Sequence, residues 1–330
     1  MELINKISQQ VIDIIPKLND VGLMDGKMGV AIYLFYASRM CNNQQYQEFA
    51  DKMLDDVVEN MQTQSLGCSF ENGLAGIGWG IEHLMQNDFI EAADIFSAID
   101  DRIFRCIVET ENKPLSISDF AGYIHYLFSR MNGKISNPTT LRYHLQLVIE
   151  LVNQLDKRLD AEKFIYEPLM FDITWKLPLV LLSLSKALEL NCYDTKIRRI
   201  IEQHSPVILA MFPNLHAHRL YLLYAMEAII RYIPMIRWKE HVSLLRQNIS
   251  MPRILHEELH DKSIKVINGI SGVALISSQL SKQNPENMLR FSLAELEQRI
   301  EKSEYWAKNN DDASISQGYA GLGLALLCNG

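Results

Sequence analysis

The chain of 330 residues has few cysteines, no long apolar run and no excess of positive charge. Its five cysteines are scattered and form no Cys-x-x-Cys pair, which argues against a disulfide framework or a zinc ribbon. The longest apolar run, Leu177 to Leu182, is far shorter than the roughly 20 residues that cross a bilayer. The net charge of −8 offers no broad basic surface for nucleic acid or an anionic membrane.

The first 20 residues also lack the continuous apolar segment of a signal peptide, because polar residues interrupt an amphipathic helix pattern. We therefore predict a cytoplasmic protein with reduced thiols that binds neither nucleic acid nor membrane. The composition by itself leaves open one domain or two, since about 100–200 residues per domain is usual.

A motif of two glycines three residues apart recurs along the chain. Four copies are clear, and each is followed by an apolar helix pattern: Gly26/Gly29, Gly73/Gly76, Gly269/Gly272 and Gly318/Gly321. Weaker copies surround Gly122, Leu177 and Arg219. The positions of the second glycine are spaced 47, 46, 55, 42, 53 and 49 residues apart. This spacing predicts seven structural repeats.

Each repeat combines two kinds of helix pattern. Stretches such as 45–62 and 138–156 carry apolar residues on one face, whereas 177–189 and 320–328 are apolar nearly all round. Strand patterns are almost absent. We predict an all-α (α/α)7 toroid, or barrel, of about fourteen helices in inner and outer rings of seven. Because the last repeat is too apolar to end an open array, the ring should close on the first repeat, making residues 1–330 one domain.

The glycine turns should lie together at one mouth of this barrel. Glycine there would allow neighbouring helices to approach and would permit φ > 0 in the turn. Free N–H groups at the starts of the inner helices would favour an anionic or carbonyl-rich ligand.

The phrase Gly73-Leu74-Ala75-Gly76-Ile77-Gly78-Trp79 and the seven repeats resemble the lanthionine synthetase C-like proteins, the LanC family of lanthipeptide cyclases. The resemblance covers essentially the whole chain and implies the same (α/α)7 barrel with a polar pocket at one end. It also implies a zinc ion that activates cysteine thiols for addition to dehydrated serine or threonine in a precursor peptide.

The zinc ligands that the resemblance implies are not found. The family places a cysteine before the glycine pair of the fifth repeat and a Cys-His pair before that of the sixth. Here Ile267 and Asn268 occupy the Cys-His positions, and the fifth repeat, Pro213 to Arg219, has no cysteine. Isoleucine cannot bind a metal and asparagine is a weak ligand. We predict no metal and no other cofactor. His216 and His218 could pair on a metal in a loop or a strand, whereas on a helix they would face apart.

The turns nevertheless bring polar residues to the predicted mouth. The candidates for a ligand pocket are Asp25, Lys27, Glu71, Asn72, Asp119, Asp172, Trp175, Lys176, His216, His218, Arg219, Asn268 and Gln317. Convergence of such groups in a concave site is typical of a binding site. An alternative for the Asp, Asn and Ser residues among these turns is helix capping, which needs no ligand. His216 and His218 could be ordinary polar residues of the rim.

Three functions remain open on this evidence. The first is a LanC-like protein that has lost the zinc site and binds a peptide, or a similar extended ligand, within a peptide-modification pathway and its proteins. The second is a metal-independent enzyme that uses the pocket carboxylates on a glycoside or peptide, for which two carboxylates should face each other across the pocket. The third is a structural or assembly partner, which an exposed apolar patch on the outer ring would favour.

Overall fold

The computed structural model describes residues 2–91, 95–109, 115–133, 137–159, 161–259, 264–285, 289–307 and 311–329, which form helices and connecting turns without a β-strand. In chain order the helices are α1 (Glu2–Ile14), α2 (Lys27–Cys41), α3 (Gln44–Thr63), α4 (Leu74–Gln86), α5 (Phe96–Val108), α6 (Ile117–Met131), α7 (Pro138–Arg158), α8 (Ala161–Phe164), α9 (Lys176–Glu189), α10 (Asp194–Ala210), α11 (His216–Ile230), α12 (Ile236–Gln247), α13 (Met251–Arg253), α14 (Ile270–Gln283), α15 (Leu293–Glu301), α16 (Glu304–Ala307) and α17 (Tyr319–Asn329). A π-helical turn, Ile254–Glu258, follows α13.

Seven helices form a closed inner ring. Each of α2, α4, α6, α9, α11 and α14 packs against the next of the series, α14 packs against α17, and α17 packs against α2. All seven begin directly after a repeat turn, so the predicted period places their starts correctly. The closure of the last repeat on the first explains why α17 needs no polar cap, because its apolar faces are covered by α1, α2 and α14.

The other long helices, α1, α3, α5, α7, α10, α12 and α15, form the outer ring. They bury one face only: α5, for example, buries Phe96, Ile99, Ile103 and Ile107, while its other residues are at least partly exposed. The inner helices are buried on most sides, as α2 shows by burying ten of its fifteen residues. This confirms the prediction of an all-α toroid with inner and outer rings of seven helices.

The glycine motif has a steric cause. A Cβ atom on Gly29 would lie 2.0 Å from the carbonyl oxygen of Leu23, and one on Gly76 would lie 1.8 Å from that of Phe70. The second glycines of the sixth and seventh repeats approach the carbonyl six residues earlier in the same way. No glycine that the structure describes has a positive φ, so our expectation of φ > 0 is wrong. Glycine is needed because the chain folds back onto the start of the helix.

One expectation about the cysteines is also wrong. Cys68, in the loop before α4, and Cys106, on α5, form a disulfide across 38 residues of sequence, whereas we expected reduced thiols throughout. Spacing could not reveal the pair, because it joins a turn to an outer helix and follows no repeat. Cys41, Cys192 and Cys328 remain free, at or beyond the carboxyl ends of α2, α9 and α17.

The closure of the ring can be tested at the contact between α17 and α2. A Cβ on Gly323 would lie 2.1 Å from the ring of Tyr33, which is fully buried. Overpacking costs about 1–3 kcal/mol, and the better helix propensity of alanine offsets only about 0.5–1 kcal/mol of this. We predict that Gly323→Ala lowers the free energy of unfolding, measured in urea. Gly67→Ala, with no atom near its Cβ, is the control. A Gly323→Ala protein as stable as the control would contradict the closure.

Candidate functional site

The repeat turns meet at one end of the barrel, where backbone hydrogen bonds join them. Met24 N–H donates to Glu71 O at 2.7 Å, and the N–H groups of Ile315 and Ser316 donate to Met24 O. The N–H groups of Val266 and Ile267 in the sixth repeat likewise donate to Ser316 O of the seventh. Ile173 N–H of the fourth repeat donates to Ile267 O at 2.9 Å. The turns of repeats two, one, seven, six and four therefore form a continuous belt around the mouth.

Two of the predicted pocket residues hold this belt together. The Asp25 carboxylate accepts a hydrogen bond from Asn72 Nδ2 at 2.6 Å and another from the Ser316 hydroxyl. Asn72 Oδ1 in turn accepts from Asp25 N–H at 3.1 Å. Asp25 thus links the first repeat to the second and the seventh. The sequence pattern predicts that Asp25 and Asn72 lie at the same end of the barrel. In the structure their side chains join neighbouring turns there.

The starts of several inner helices are already satisfied by the chain. Lys27 N–H of α2 donates to Asp20 O at 2.8 Å, and Leu74 N–H of α4 donates to Gly67 O at 2.9 Å. At α11, the Glu258 carboxylate accepts from His216 N–H at 2.6 Å and from Ala217 N–H at 3.0 Å. The expectation of free N–H groups that attract an anion is therefore wrong for these helices, because carbonyl and carboxylate oxygens of the protein fill that role.

The fourth and fifth repeats, which lack the glycine pair, build the mouth differently. Residues 165–170, here called the strap, run between Phe164 and Phe171, which are both 2% exposed. Within the strap, Tyr166 is 71% exposed, Leu169 91% and Met170 71%. The strap is therefore fixed by buried aromatic rings at its ends while its own apolar side chains face the solvent.

Glu167 ties the strap to α11. Its carboxylate accepts hydrogen bonds from the backbone N–H groups of Asn214 and Leu215, with Asn214 at 3.1 Å from both oxygens. It also lies 2.9 Å from Nδ1 of His218. His218 is fully buried, so its prediction as a polar rim residue is wrong. Burial lowers the pKa of His218, and the neighbouring carboxylates only partly oppose this effect, so the imidazole is neutral near pH 7.

The ring of Trp175 packs against the imidazole of His218. Its ring centroid lies 5.0 Å from that of His218, and the Phe171 ring lies 5.9 Å away. Trp175 is 2% exposed. Neither Trp175 Nε1 nor His218 Nε2 has a hydrogen-bond partner among the described residues. Two buried polar atoms without partners in adjacent rings are unusual, since most buried polar atoms are satisfied.

The side chains of His216 and Arg219 form hydrogen bonds with backbone carbonyl groups in and next to the fifth turn. His216 Nδ1 lies 2.9 Å from Asn248 O, so the two histidines of α11 face different partners, as their helical spacing predicts. Arg219 stands at the position of the second glycine. Its Nε donates at 2.7 Å to Pro213 O, the carbonyl six residues earlier, and its remaining nitrogens donate to Asn214 O and Asn248 O. Arg219 therefore replaces the glycine contact with hydrogen bonds.

The remaining candidates are dispersed around the rim. Lys27 points to the outer ring, where its Nζ lies 2.6 Å from Asp56. Asp119 forms a capping box with Ser116, and Asp172 accepts from Thr174 N–H at 2.7 Å, so both support turns as the capping alternative states. Gln317 accepts from Lys265 at 2.8 Å. The other side chains are exposed or half-buried at their turns: Glu71, Lys176 and Asn268.

Glu167, Glu258 and the strap were not predicted from the sequence. The repeat spacing nevertheless indicates additional residues near them, because the intervals of 55 and 53 residues that lead to the fourth and sixth repeats are the two longest. Glu167 lies in the first of these intervals and Glu258 in the second. The additional residues supply the carboxylates that hold the fifth turn. Longer intervals in a repeat protein are typical of loops on a binding face.

The donor set of the mouth does not fit zinc. The positions at which the resemblance implies a Cys-His pair hold Ile267 and Asn268, and the fifth turn, Pro213 to Arg219, has no cysteine. The free cysteines lie at the carboxyl ends of helices, away from these turns. In the part of the chain that the structure describes, no three His, Cys, Asp or Glu side chains are grouped to hold a metal ion. Zinc in a catalytic site takes three protein ligands, usually His, Cys, Asp or Glu.

Comparison with known proteins agrees with the fold. Residues 17–172, just under half of the chain, match the family described as Lanthionine synthetase C-like protein. Among solved structures, one titled "Nisin cyclase" superposes with a TM-score of 0.68 at 15% identity, covering 99% of this chain and 93% of that one. No curated protein matches the chain in sequence. These matches confirm the resemblance to lanthionine synthetase C-like proteins that the glycine motifs predicted.

No helix in the described ranges is both long and apolar enough to cross a membrane.

The role of Glu167 can be tested by removing its charge. In Glu167→Gln one oxygen becomes an NH₂ group, which cannot accept from the three N–H donors around it. Hydrogen bonds to charged groups contribute about 1.5–3 kcal/mol. We predict a loss of about that size in the free energy of unfolding. Glu71→Gln, at an exposed side chain of another turn, should change it by less than about 0.5 kcal/mol. Equal effects of the two substitutions would contradict the role of Glu167.

Proposed function

We propose that the whole chain is one peptide-binding domain, a LanC-like protein that does without the family zinc site and acts within a peptide-modification pathway. The observation that carries the proposal is the strap. Tyr166, Leu169 and Met170 are 71%, 91% and 71% exposed, next to the strap residue Glu167 that bonds to the buried His218. Several large apolar side chains exposed close together in sequence are typical of an interaction surface.

The shape of the strap favours an extended ligand. Both ends are fixed by the buried rings of Phe164 and Phe171, and Glu167 fixes its middle to α11. Its exposed side chains are therefore held in place before a ligand binds, and little conformational entropy is lost on binding. The net charge of −8 favours a peptide without an excess of acidic residues.

Two further observations support a peptide as the ligand. The family of this chain is named for lanthionine synthesis, and the structure that shares its fold is titled as a cyclase of nisin. Zinc chemistry is not part of the proposal, because the residues at the family's ligand positions do not fit zinc. The protein would therefore hold or present the peptide to other proteins of the pathway.

The alternative of an acid–base enzyme gains no support from the carboxylates. Asp25, Asp119 and Asp172 each accept hydrogen bonds that hold turns or helix starts. These contacts account for the three carboxylates without a substrate. The alternative of an assembly partner is supported by exposed apolar side chains of the outer ring, Ile236 and Leu244 on α12 and Val108 on α5.

Substitution of the strap tests the proposal. The probe is a fluorescein-labelled dodecapeptide of leucine, alanine and lysine, and fluorescence anisotropy measures its binding. Burying a leucine side chain contributes about 1.5–3 kcal/mol, so Leu169→Glu should weaken binding about tenfold or more. Folding should be unaffected because the side chain is exposed in the free protein.

Ile236→Glu is the matched control, since this side chain is 76% exposed but lies on the outer ring. It should bind the peptide as the unsubstituted protein does. If Ile236→Glu abolishes binding and Leu169→Glu does not, the outer ring is the interaction surface and the proposal fails.

A further inference from the structure

The proton on His218 can be assigned from its surroundings. Glu167 accepts hydrogen bonds from two backbone N–H groups and lies 2.9 Å from Nδ1 of His218. A carboxylate with backbone donors on it can only accept, so Nδ1 must carry the proton that it shares with Glu167. Nε2 of this neutral ring then has a lone pair and acts as an acceptor. It is buried and unpartnered among the described residues.

The neighbouring Trp175 offers the complementary group. An indole Nε1–H can only donate a hydrogen bond. This N–H is also buried without a partner in the described part of the chain, and its ring lies against that of His218 with centroids 5.0 Å apart. Elsewhere the chain satisfies its buried indole: Trp238 Nε1 donates to the Ser205 hydroxyl at 2.9 Å. Trp175 and His218 therefore contain one buried donor, Nε1–H, and one buried acceptor, Nε2, in adjacent rings.

Few chemical groups satisfy both atoms at once. A carboxylate can accept from Trp175 but cannot donate to His218, and it would be repelled by Glu167. An ammonium group can donate but cannot accept. A hydroxyl does both through a single oxygen, donating to Nε2 and accepting from Nε1–H. We propose that His218 and Trp175 form a subsite for one hydroxyl group of the bound peptide, that of a serine or threonine side chain.

The position of the pair relative to the strap supports this assignment. Glu167, which bonds to His218, is itself a strap residue, and Phe171, which ends the strap, packs against the same imidazole. A peptide on the exposed strap residues would thus lie near the pair, which is connected to the strap through Glu167. This inference rests on the proposed function, because the strap supplies the general affinity and the subsite adds preference for one side chain.

A serine scan separates the two proposals. The parent probe is the leucine, alanine and lysine dodecapeptide, and each variant carries a single serine in place of one residue. Binding of the parent tests the strap alone. If the subsite exists, serine at one position should tighten binding about tenfold, the effect expected of two net hydrogen bonds. Serine at the other positions should have little effect.

The variant Trp175→Phe keeps an aromatic ring and removes only the indole donor. It should still bind the parent peptide but lose most of the preference for serine. Trp238→Phe, which removes an indole N–H on an outer helix, should keep the preference. If Trp175→Phe does not fold, the indole ¹H–¹⁵N signals of the unsubstituted protein provide the readout. One of them should shift with the serine peptide and not with the parent.

The outcomes are distinct. No binding of any peptide overturns the proposed function and the subsite with it. Binding of the parent without preference for serine at any position leaves the strap in place and overturns the subsite. A preference for serine that Trp175→Phe retains also overturns it, because the hydroxyl would then bind elsewhere. The same conclusion follows if the indole signals respond equally to both peptides, as they would if the pair held only a structural water.

Discussion

The architecture depends on one steric constraint, the close contact in four of the repeats between the start of the inner helix and the carbonyl six residues earlier. A Cβ on the second glycine of these repeats would lie only 1.8–2.0 Å from that carbonyl oxygen. The fold-back brings the turns together at the mouth, where backbone hydrogen bonds link those of repeats two, one, seven, six and four. The repeats stack as a ring although the third, fourth and fifth turns lack the complete glycine pair.

The candidate site lies where the chain departs from this rule. The fourth and fifth repeats have Leu177 and Arg219 in place of the second glycine, and the intervals that lead to the fourth and sixth repeats are the longest of the series. Their turns are held by side chains instead of by close backbone packing. Arg219 bonds to the carbonyl that a glycine would approach, and Glu167 and Glu258 bond to the N–H groups of the fifth turn. The two repeats that lack the glycine pair thus contain a region of polar side-chain contacts that includes His218.

The sequence was sufficient to predict the rings because the repeat period and the helix amphipathicity are local patterns. It identified Asp25, Asn72, Trp175 and His218 as residues of the mouth for the same reason. It did not predict the burial of His218, because that burial depends on the strap and on Trp175 and Phe171 of the preceding repeat. It did not predict the bond between Cys68 and Cys106, which joins a turn to an outer helix. Contacts that follow no period require the three-dimensional structure.

The fold of this chain does not require the Cys-His pair that its resemblance to the LanC family implies. The belt does not involve the metal-binding positions through their side chains: Ile267 takes part through its backbone N–H and carbonyl. The fold therefore tolerates an apolar residue at this position, because only the backbone of Ile267 contributes to the belt.

The central claim is that the mouth binds a peptide without zinc, and elemental analysis tests its most specific part. The protein would be produced in medium supplemented with zinc and separated from free metal by gel filtration before mass-spectrometric metal analysis. The account predicts far less than one zinc per chain, with peptide binding unchanged by a chelator. One zinc per chain that survives gel filtration, together with loss of peptide binding on chelation, would contradict it.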